Sequence, residues 1–313
     1  MGAKGRKLSF VIPCYGSEKT IGKVIQSIKD TIKGSDDYEI ICVNDCSPDN
    51  VYTVLKAYAR KDSRIKAVSL AKNFGQHNAL MAGYRQVTGD IVISLDDDGQ
   101  TPAEECYKLI DAIDKDCDVV YARYAEKRHS AFRNMGSKLT MVMGRIMISY
   151  PKELYSSSYF ACKRYIIDEI IRYHNPYPFI TGLVCRTTNK IKNVDVVHHN
   201  RMSGQSGYSL GKLIALWLNG FTAFSVKPLR LASVIGCTCA VIGFIYGIIT
   251  VIRKLVDPSI LIGYSSLMAV LLLVGGILML MLGLVGEYIG RIYISLNNSP
   301  QYVIREEINT DRK

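Results

Sequence analysis

The chain has 313 residues, 48% of them hydrophobic, and 39 Lys and Arg against 28 Asp and Glu, for a formal net charge of +11. That length holds one large or two modest domains with a sizeable core, and a balance this basic fits an anionic partner, either nucleic acid or a membrane surface. Nine cysteines, an odd number without a C-x-x-C pair, argue against a disulfide or redox framework and suit a reduced cytosol.

The first 120 residues alternate strand and helix signals. Strands are predicted at 8–14, 39–43, 65–70, 91–95 and 118–121, with helices at 21–32, 51–59, about 78–87 and from Pro102 to about 114. The N-terminal basic residues lead only into the short apolar run 8–15, so no secretory signal is expected. Continuous apolar strands alternating with helices predict an α/β fold with a mostly parallel sheet covered on both faces. Ligands of such sheets bind beyond the carboxyl ends of the strands. There the chain places Pro13, Tyr15 and Glu18, then Asn44, Asp45 and Ser47, then Lys72, Asn73 and Gln76, then Asp96, Asp98 and Gln100.

Residues 122–150 change character. Arg123, Lys127, Arg128, Arg133, Lys138 and Arg145 are opposed only by Glu126, and apolar residues recur at steps of three and four. That pattern describes a basic amphipathic helix, suited to a membrane interface or to a solvated surface. A second apolar stripe, from Leu210 to Phe224, precedes two long uncharged stretches at 231–252 and 259–286. Each is long enough to cross a hydrocarbon core of roughly 30 Å. Arg253, Lys254, Asp257 and Pro258 break the chain between them, so a transmembrane hairpin is expected, with both chain ends on one side of the bilayer. The spans decide for a membrane and against nucleic acid. The expected organisation is a catalytic domain at 1–205, a juxtamembrane amphipathic helix at 206–230, two spans within 231–290, and a polar cytosolic tail at 291–313.

The stretch "SLDDDGQTP" brings three aspartates together, which like-charge repulsion disfavours unless a cation sits among them. Asp96 and Asp98 leave a strand at alternate positions and can point to one side, with Asp97 to the other. A D-x-D of this kind suits Mg²⁺ or Mn²⁺ held between carboxylates and substrate phosphates. The spacing of an EF-hand is absent, as are G-x-G-x-x-G, the P-loop, G-x-S-x-G and H-E-x-x-H. Adjacent His198 and His199 would face opposite sides of a strand and make poor joint ligands.

"FVIPCYGSEKTI", "IICVNDCSPDN", "AKNFGQHNALMAGYRQVTGD" and "SLDDDGQTPAE" occur in the order seen in family 2 glycosyltransferases, and "FTAFSVKPLRLAS" and "GLVGEYIGRIY" resemble its membrane-anchored branch. That branch contains the polyprenyl-phosphate glycosyltransferases, similar to dolichol-phosphate mannose synthase and bacterial undecaprenyl-phosphate sugar transferases. The resemblance implies a GT-A fold, a nucleotide-sugar donor (a UDP-sugar ahead of a GDP-sugar), a polyprenyl phosphate acceptor, and inversion at the anomeric carbon. It implies a nucleotide pocket lined by Pro13, Tyr15, Glu18 and Asp45, with Lys72 and Gln76 on the same rim. A metal on the diphosphate would be held by Asp96 and Asp98, with Gln100 beside them. Arg123, Arg128, Lys138, Arg201, Ser206 and Tyr208 are candidates for the acceptor phosphate, and Arg201 joins Asp96, Asp98 and Gln100 as a candidate catalytic residue. Two departures stand out. Ser156, Ser157 and Ser158 lie where the branch often carries an acidic residue, and Gly207 precedes Tyr208 where the branch often has lysine. A processive polysaccharide synthase and a catalytically silent scaffold are the alternatives. Trp217 has no preceding arginine of a Q-x-x-R-W motif, and Asp96 and Asp98 are both present. A protein of the plasma or inner membrane, with its catalytic domain in the cytoplasm, completes the expectation, and the sequence leaves open whether it is a monomer or a homo-oligomer.

Overall fold

The computed structural model describes residues 5–32, 36–115, 117–124, 154–197, 227–257, 263–297 and 299–310. In chain order these form β1 (Lys7–Cys14), α1 (Ile21–Thr31), β2 (Asp37–Asn44), α2 (Val51–Lys61), β3 (Ile65–Leu70), α3 (Gln76–Tyr84) and β4 (Ile91–Ser94). A 3-10 turn at Ala103–Glu105 leads into α4 (Cys106–Asp114) and β5 (Val119–Tyr124). Then come β6 (Phe160–Lys163), α5 (Arg164–Ile170), α6 (Ile180–Thr187), β7 (Ile191–Val196), α7 (Lys227–Val256), α8 (Tyr264–Leu296) and β8 (Ile304–Ile308).

One eight-stranded sheet runs in the order β7-β5-β6-β4-β1-β2-β3-β8. Its middle is parallel: β1 pairs with β2 and β4, and β2 with β3. The strands of this parallel middle are buried almost throughout, as strands covered on both faces must be. Leu8, Phe10, Ile12 and Cys14 pack into one cluster with apolar residues of α1, α2 and α4. In α1 those residues are Ile21, Val24, Ile25 and Ile28, one stripe at helical spacing. The other face of β1 and β2 takes α3. A Cβ on Gly83 would lie 2.6 Å from Val11 Cγ1 and 3.1 Å from Val43 Cγ2, so only glycine lets this helix settle so close to the sheet.

The sheet is mostly parallel, as expected, and two strands run against the others. β6 runs antiparallel between β4 and β5. β8 adds an antiparallel strand to the far edge, pairing Ala67 with Ile308 and Leu70 with Ile304. Residues 304–308, read from sequence as part of a polar tail, are therefore a strand of the sheet. The side-chain amide of Asn309 pins its end, donating to the carbonyls of Ala59 at 2.6 Å and Ile65 at 2.9 Å.

By contact the chain divides into two units, residues 1–212 with 298–313, and residues 213–297. In the second unit, α7 and α8 both run longer than the two uncharged stretches, and α8 begins five residues later than the second. The described residues contain one helix long and apolar enough to cross a membrane by length and composition, Leu273–Ile294, and a shorter apolar helix, Gly236–Ile249. The longer window lies further along the chain than expected and takes in Glu287 and Arg291. The basic segment beyond Tyr124, the stripe at 210–224, and His198 and His199 lie outside the described residues.

Candidate active site

Parallel strands end together, so the loops after β1, β2, β3 and β4 share one edge. Along it the aspartate turn is divided. Asp97 faces the β1–α1 loop, where its carboxylate accepts the Tyr15 backbone N–H at 2.9 Å and its carbonyl accepts the Thr20 hydroxyl at 2.7 Å. Asp96 faces the other way. Its Oδ1 accepts Gln76 Nε2 at 3.1 Å, and its Oδ2 accepts the Ser158 hydroxyl. Asp98 turns back on its own loop, accepting the Gln100 backbone N–H at 3.0 Å, and Gly99 between them takes φ +75°. Burial pushes Asp96 up to about 6, against the hydrogen bonds from Ser158 and Gln76, and the charges of Asp98 and Asp97 push the same way. Burial also raises Asp97.

The other rim residues are tied together by backbone N–H groups. Asp45 is buried, and its two oxygens accept from Phe74 N at 2.7 Å and Gly75 N at 2.8 Å. It thereby holds the turn that starts α3, where Gly75 adopts φ +88°, and burial raises its pKa despite these bonds. Glu18 accepts from Asn50 N at 3.2 Å and donates its own N–H to Asp49, knitting the first loop to the second. Pro13 is buried in β1 opposite Val43, and Tyr15 is exposed beside it. Lys72 is exposed, with its ammonium 5.0 Å from the centre of the Phe74 ring. Gln76 and Asp96 therefore meet directly, and Tyr15 and Glu18 join the rim through Asp97 and the second loop.

Among the described residues, no group of three or more His, Cys, Asp or Glu is arranged to hold a metal by itself. Two carboxylates at alternate positions still suit a hard cation whose other ligands are phosphate oxygens and water. The donor set thus fits Mg²⁺ or Mn²⁺ bound together with a diphosphate.

The model of glycosyl transferase family 2 matches residues 9–171, and that of the GtrB C-terminal hairpin matches residues 227–292. The chain belongs to glycosyl transferase family 2. Over 318 aligned residues this glycosyltransferase is 35% identical to the undecaprenyl-phosphate 4-deoxy-4-formamido-L-arabinose transferase of Proteus mirabilis (strain HI4320), covering 99% of this chain and 96% of the relative. It is 32% identical to an uncharacterised glycosyltransferase of Bacillus subtilis (strain 168), YkcC, covering 97% and 95%. Its fold is that of glucosyl-3-phosphoglycerate synthase from Mycobacterium tuberculosis, solved with Mn²⁺ and UDP-glucose. The TM-score is 0.52 at 19% identity, over 67% of this chain and 75% of that one. The GT-A architecture expected from the motifs is therefore present.

Two further residues of this glycosyltransferase stand at the rim without a local signal in the sequence. Tyr124, at the end of β5, has its phenol beside Asp96, Ser157 and Thr101, and burial raises it to about 12. Ser158, one of the three serines that depart from the branch pattern, bonds Asp96. The signal that would have found both is the pairing of β6 with its neighbours, which no local pattern announces. Of the acceptor candidates, Arg123 is described. It pairs with Asp195 across the β5–β7 register, at 2.5 Å and 3.0 Å, so a phosphate there would share or displace that carboxylate. Arg128, Lys138, Arg201, Ser206 and Tyr208 lie outside the described residues.

Proposed function

We propose that this glycosyltransferase moves a sugar from a nucleotide sugar to the phosphate of a polyprenyl lipid, with inversion at the anomeric carbon. The observation that carries the reading is one rim built from the ends of β1, β2, β3 and β4, with Asp96 and Asp98 following β4, on a chain that also carries a long apolar hairpin. The name borne by relatives that align over nearly the whole chain supports the acceptor class.

The reaction asks little of a base. A lipid phosphate is anionic at neutral pH, and its oxygen attacks the anomeric carbon as the bond to the diphosphate breaks. What the site must do is bring two anions together and stabilise the departing nucleoside diphosphate. Asp96 and Asp98 would hold a divalent cation, which when bound neutralises the leaving diphosphate. The Tyr15–Glu18 loop, Asp45 through the Phe74–Gly75 turn, Lys72 and Gln76 would receive the nucleotide. Arg123, Arg128, Lys138 and Arg201, with Ser206 and Tyr208, are the proposed acceptor-phosphate set. A UDP-sugar is the proposed donor, in keeping with the ligand of the fold neighbour. The proposed setting is a multi-pass membrane protein with the sheet in the cytoplasm.

The test incubates detergent-solubilised protein with a panel of UDP- and GDP-sugars, Mg²⁺ or Mn²⁺, and undecaprenyl phosphate. The expected result is a lipid whose mass rises by one glycosyl unit, formed only when a divalent cation is present. Donor hydrolysis without a lipid product would overturn the acceptor assignment, and undiminished transfer in EDTA would overturn the metal.

A further inference from the structure

The antiparallel register of β4 and β6 pairs Ser94 with Phe160 and Ile93 with Ala161. Two residues past the last pair, the same register brings Asp96 opposite Ser158. There the serine hydroxyl donates to Asp96 Oδ2 while Gln76 Nε2 holds Oδ1. Both oxygens of the carboxylate are thus fixed by neutral donors from two different elements.

The segment that carries Ser158 is itself anchored on both sides. Upstream, Asn193 of β7 accepts the Tyr155 N–H at 2.9 Å and donates to the Tyr155 carbonyl at 2.7 Å. Downstream, fully buried Tyr159 reaches across to the Pro102 carbonyl at 3.0 Å, and Ser157 accepts the Tyr159 N–H at 3.1 Å. The aspartate turn is consequently tied to residues 157–159 near both of its ends, at Asp96 and at Pro102. A carboxylate held this way loses little freedom when it meets a ligand, whereas an untethered one must be ordered first. A neutral hydroxyl does this without adding to the negative charge already present at Asp96, Asp97 and Asp98.

We infer that Ser158 is a positioning residue of this glycosyltransferase, orienting the Asp96 carboxylate toward the cation and diphosphate of the donor. The inference rests on the donor and metal reading given above. It assigns a task to a serine that stands in the segment where an acidic residue is often found, and it places that task on the donor side of the site.

The experiment compares wild type, Ser158→Ala and Ser158→Thr. Mn²⁺ binding in the presence of UDP is followed by electron paramagnetic resonance, and initial rates are measured against donor and against undecaprenyl phosphate. A lost hydrogen bond to a charged group predicts that Ser158→Ala weakens Mn²⁺–UDP binding about tenfold. The donor KM should rise with it, the acceptor KM should stay within about twofold, and Ser158→Thr should restore most of the loss. Unchanged Mn²⁺–UDP binding in Ser158→Ala overturns the inference. A threonine variant as impaired as alanine also overturns it, because a hydroxyl at that position would then be irrelevant. Wild type that binds Mn²⁺ with neither UDP nor GDP would overturn the donor reading, and this inference with it.

Discussion

Asp96 sits where its ionised form is disfavoured. Its pKa in the fold is about 6 against an ordinary 3.8, first through burial and then through the charges of Asp98 and Asp97. The folded state therefore holds this proton more tightly than the unfolded chain, and stability from this group falls as pH rises from about 4 through 6. At neutral pH the protein without a cation carries that strain on its rim, as functional sites often do. Asp98→Asn removes one of the repelling charges and keeps an oxygen for the Gln100 N–H. The expected outcome is a rise in melting temperature of about 2–4 °C for each ~1 kcal/mol relieved, with transfer reduced by roughly a hundredfold or more. Scanning fluorimetry without divalent cation, beside the lipid-product assay, checks both halves. A melting temperature that falls would mean that Asp98 stabilises the turn. Asp97 is a different case, because its bond to the Tyr15 N–H makes it part of the loop architecture.

At the scale of elements, the ends of the strands opposite the rim are held by a buried polar cluster. Glu39 of β2 accepts from Ser9 Oγ at 2.5 Å, Thr88 N at 2.6 Å and Thr88 Oγ1 at 2.8 Å, and it pairs with Lys66 of β3 at 2.8 Å. Burial disfavours its charge, but the bonds from Lys66, Ser9 and Thr88 together hold its pKa below the ordinary 4.5. Glu39 thus contributes stability that is present above pH 4.5 and lost as pH falls through its lower folded value. Glu39→Gln leaves the Lys66 ammonium buried without its counter-charge, for an expected loss of roughly 3–5 kcal/mol. Urea unfolding at pH 7 and below 4.5 should show the gap between wild type and variant closing in acid. Equal gaps at both pH values would assign the loss to packing. A second element-scale prediction concerns β8. Asn309 has φ +59° and donates to two carbonyls at good distance, so Asn309→Ala loses both the backbone preference and the bonds, about 2–3 kcal/mol together. Asn309→Gly should recover only the backbone part. Just before β8, the Val303 carbonyl accepts Ala71 N at 2.8 Å at the start of the loop that bears Lys72 and leads to Gln76 at the start of α3. Loosening the strand should therefore also raise the donor KM, measurable in the same protein samples.

For the whole molecule, β8 constrains topology. Strands β1 to β7 precede the hairpin, β8 follows it, and all eight lie in one sheet. A sheet cannot straddle a bilayer, where unpaired backbone groups find no water. If the hairpin enters the membrane, the chain between Val196 and Ile304 must cross an even number of times. Two crossings fit α7 and α8, each of at least 30 residues. In a cysteine-free background, an impermeant maleimide applied from outside is expected to label a cysteine placed at Asp257 and to miss one at Asn297. Labelling of both positions, or of Asn297 alone, would contradict this arrangement.

The amino-acid sequence alone determined the first five strands and the helices between them, because continuous apolar runs and helical stripes are local patterns. It also marked the rim, since polar residues cluster after those runs, and it singled out Asp96 and Asp98 by their alternation. Only the tertiary structure decided what several rim residues do. Asp45 turned out to hold the Phe74–Gly75 turn, Asp97 to hold Tyr15, and Ser158 to face Asp96, because each depends on partners about 30 to 82 residues away. The short strand β6 and the mixed-charge β8, "IREEI", carry little apolar signal of their own. Their place comes from the edges and gaps that the other strands leave, a long-range pairing that no window along the chain contains.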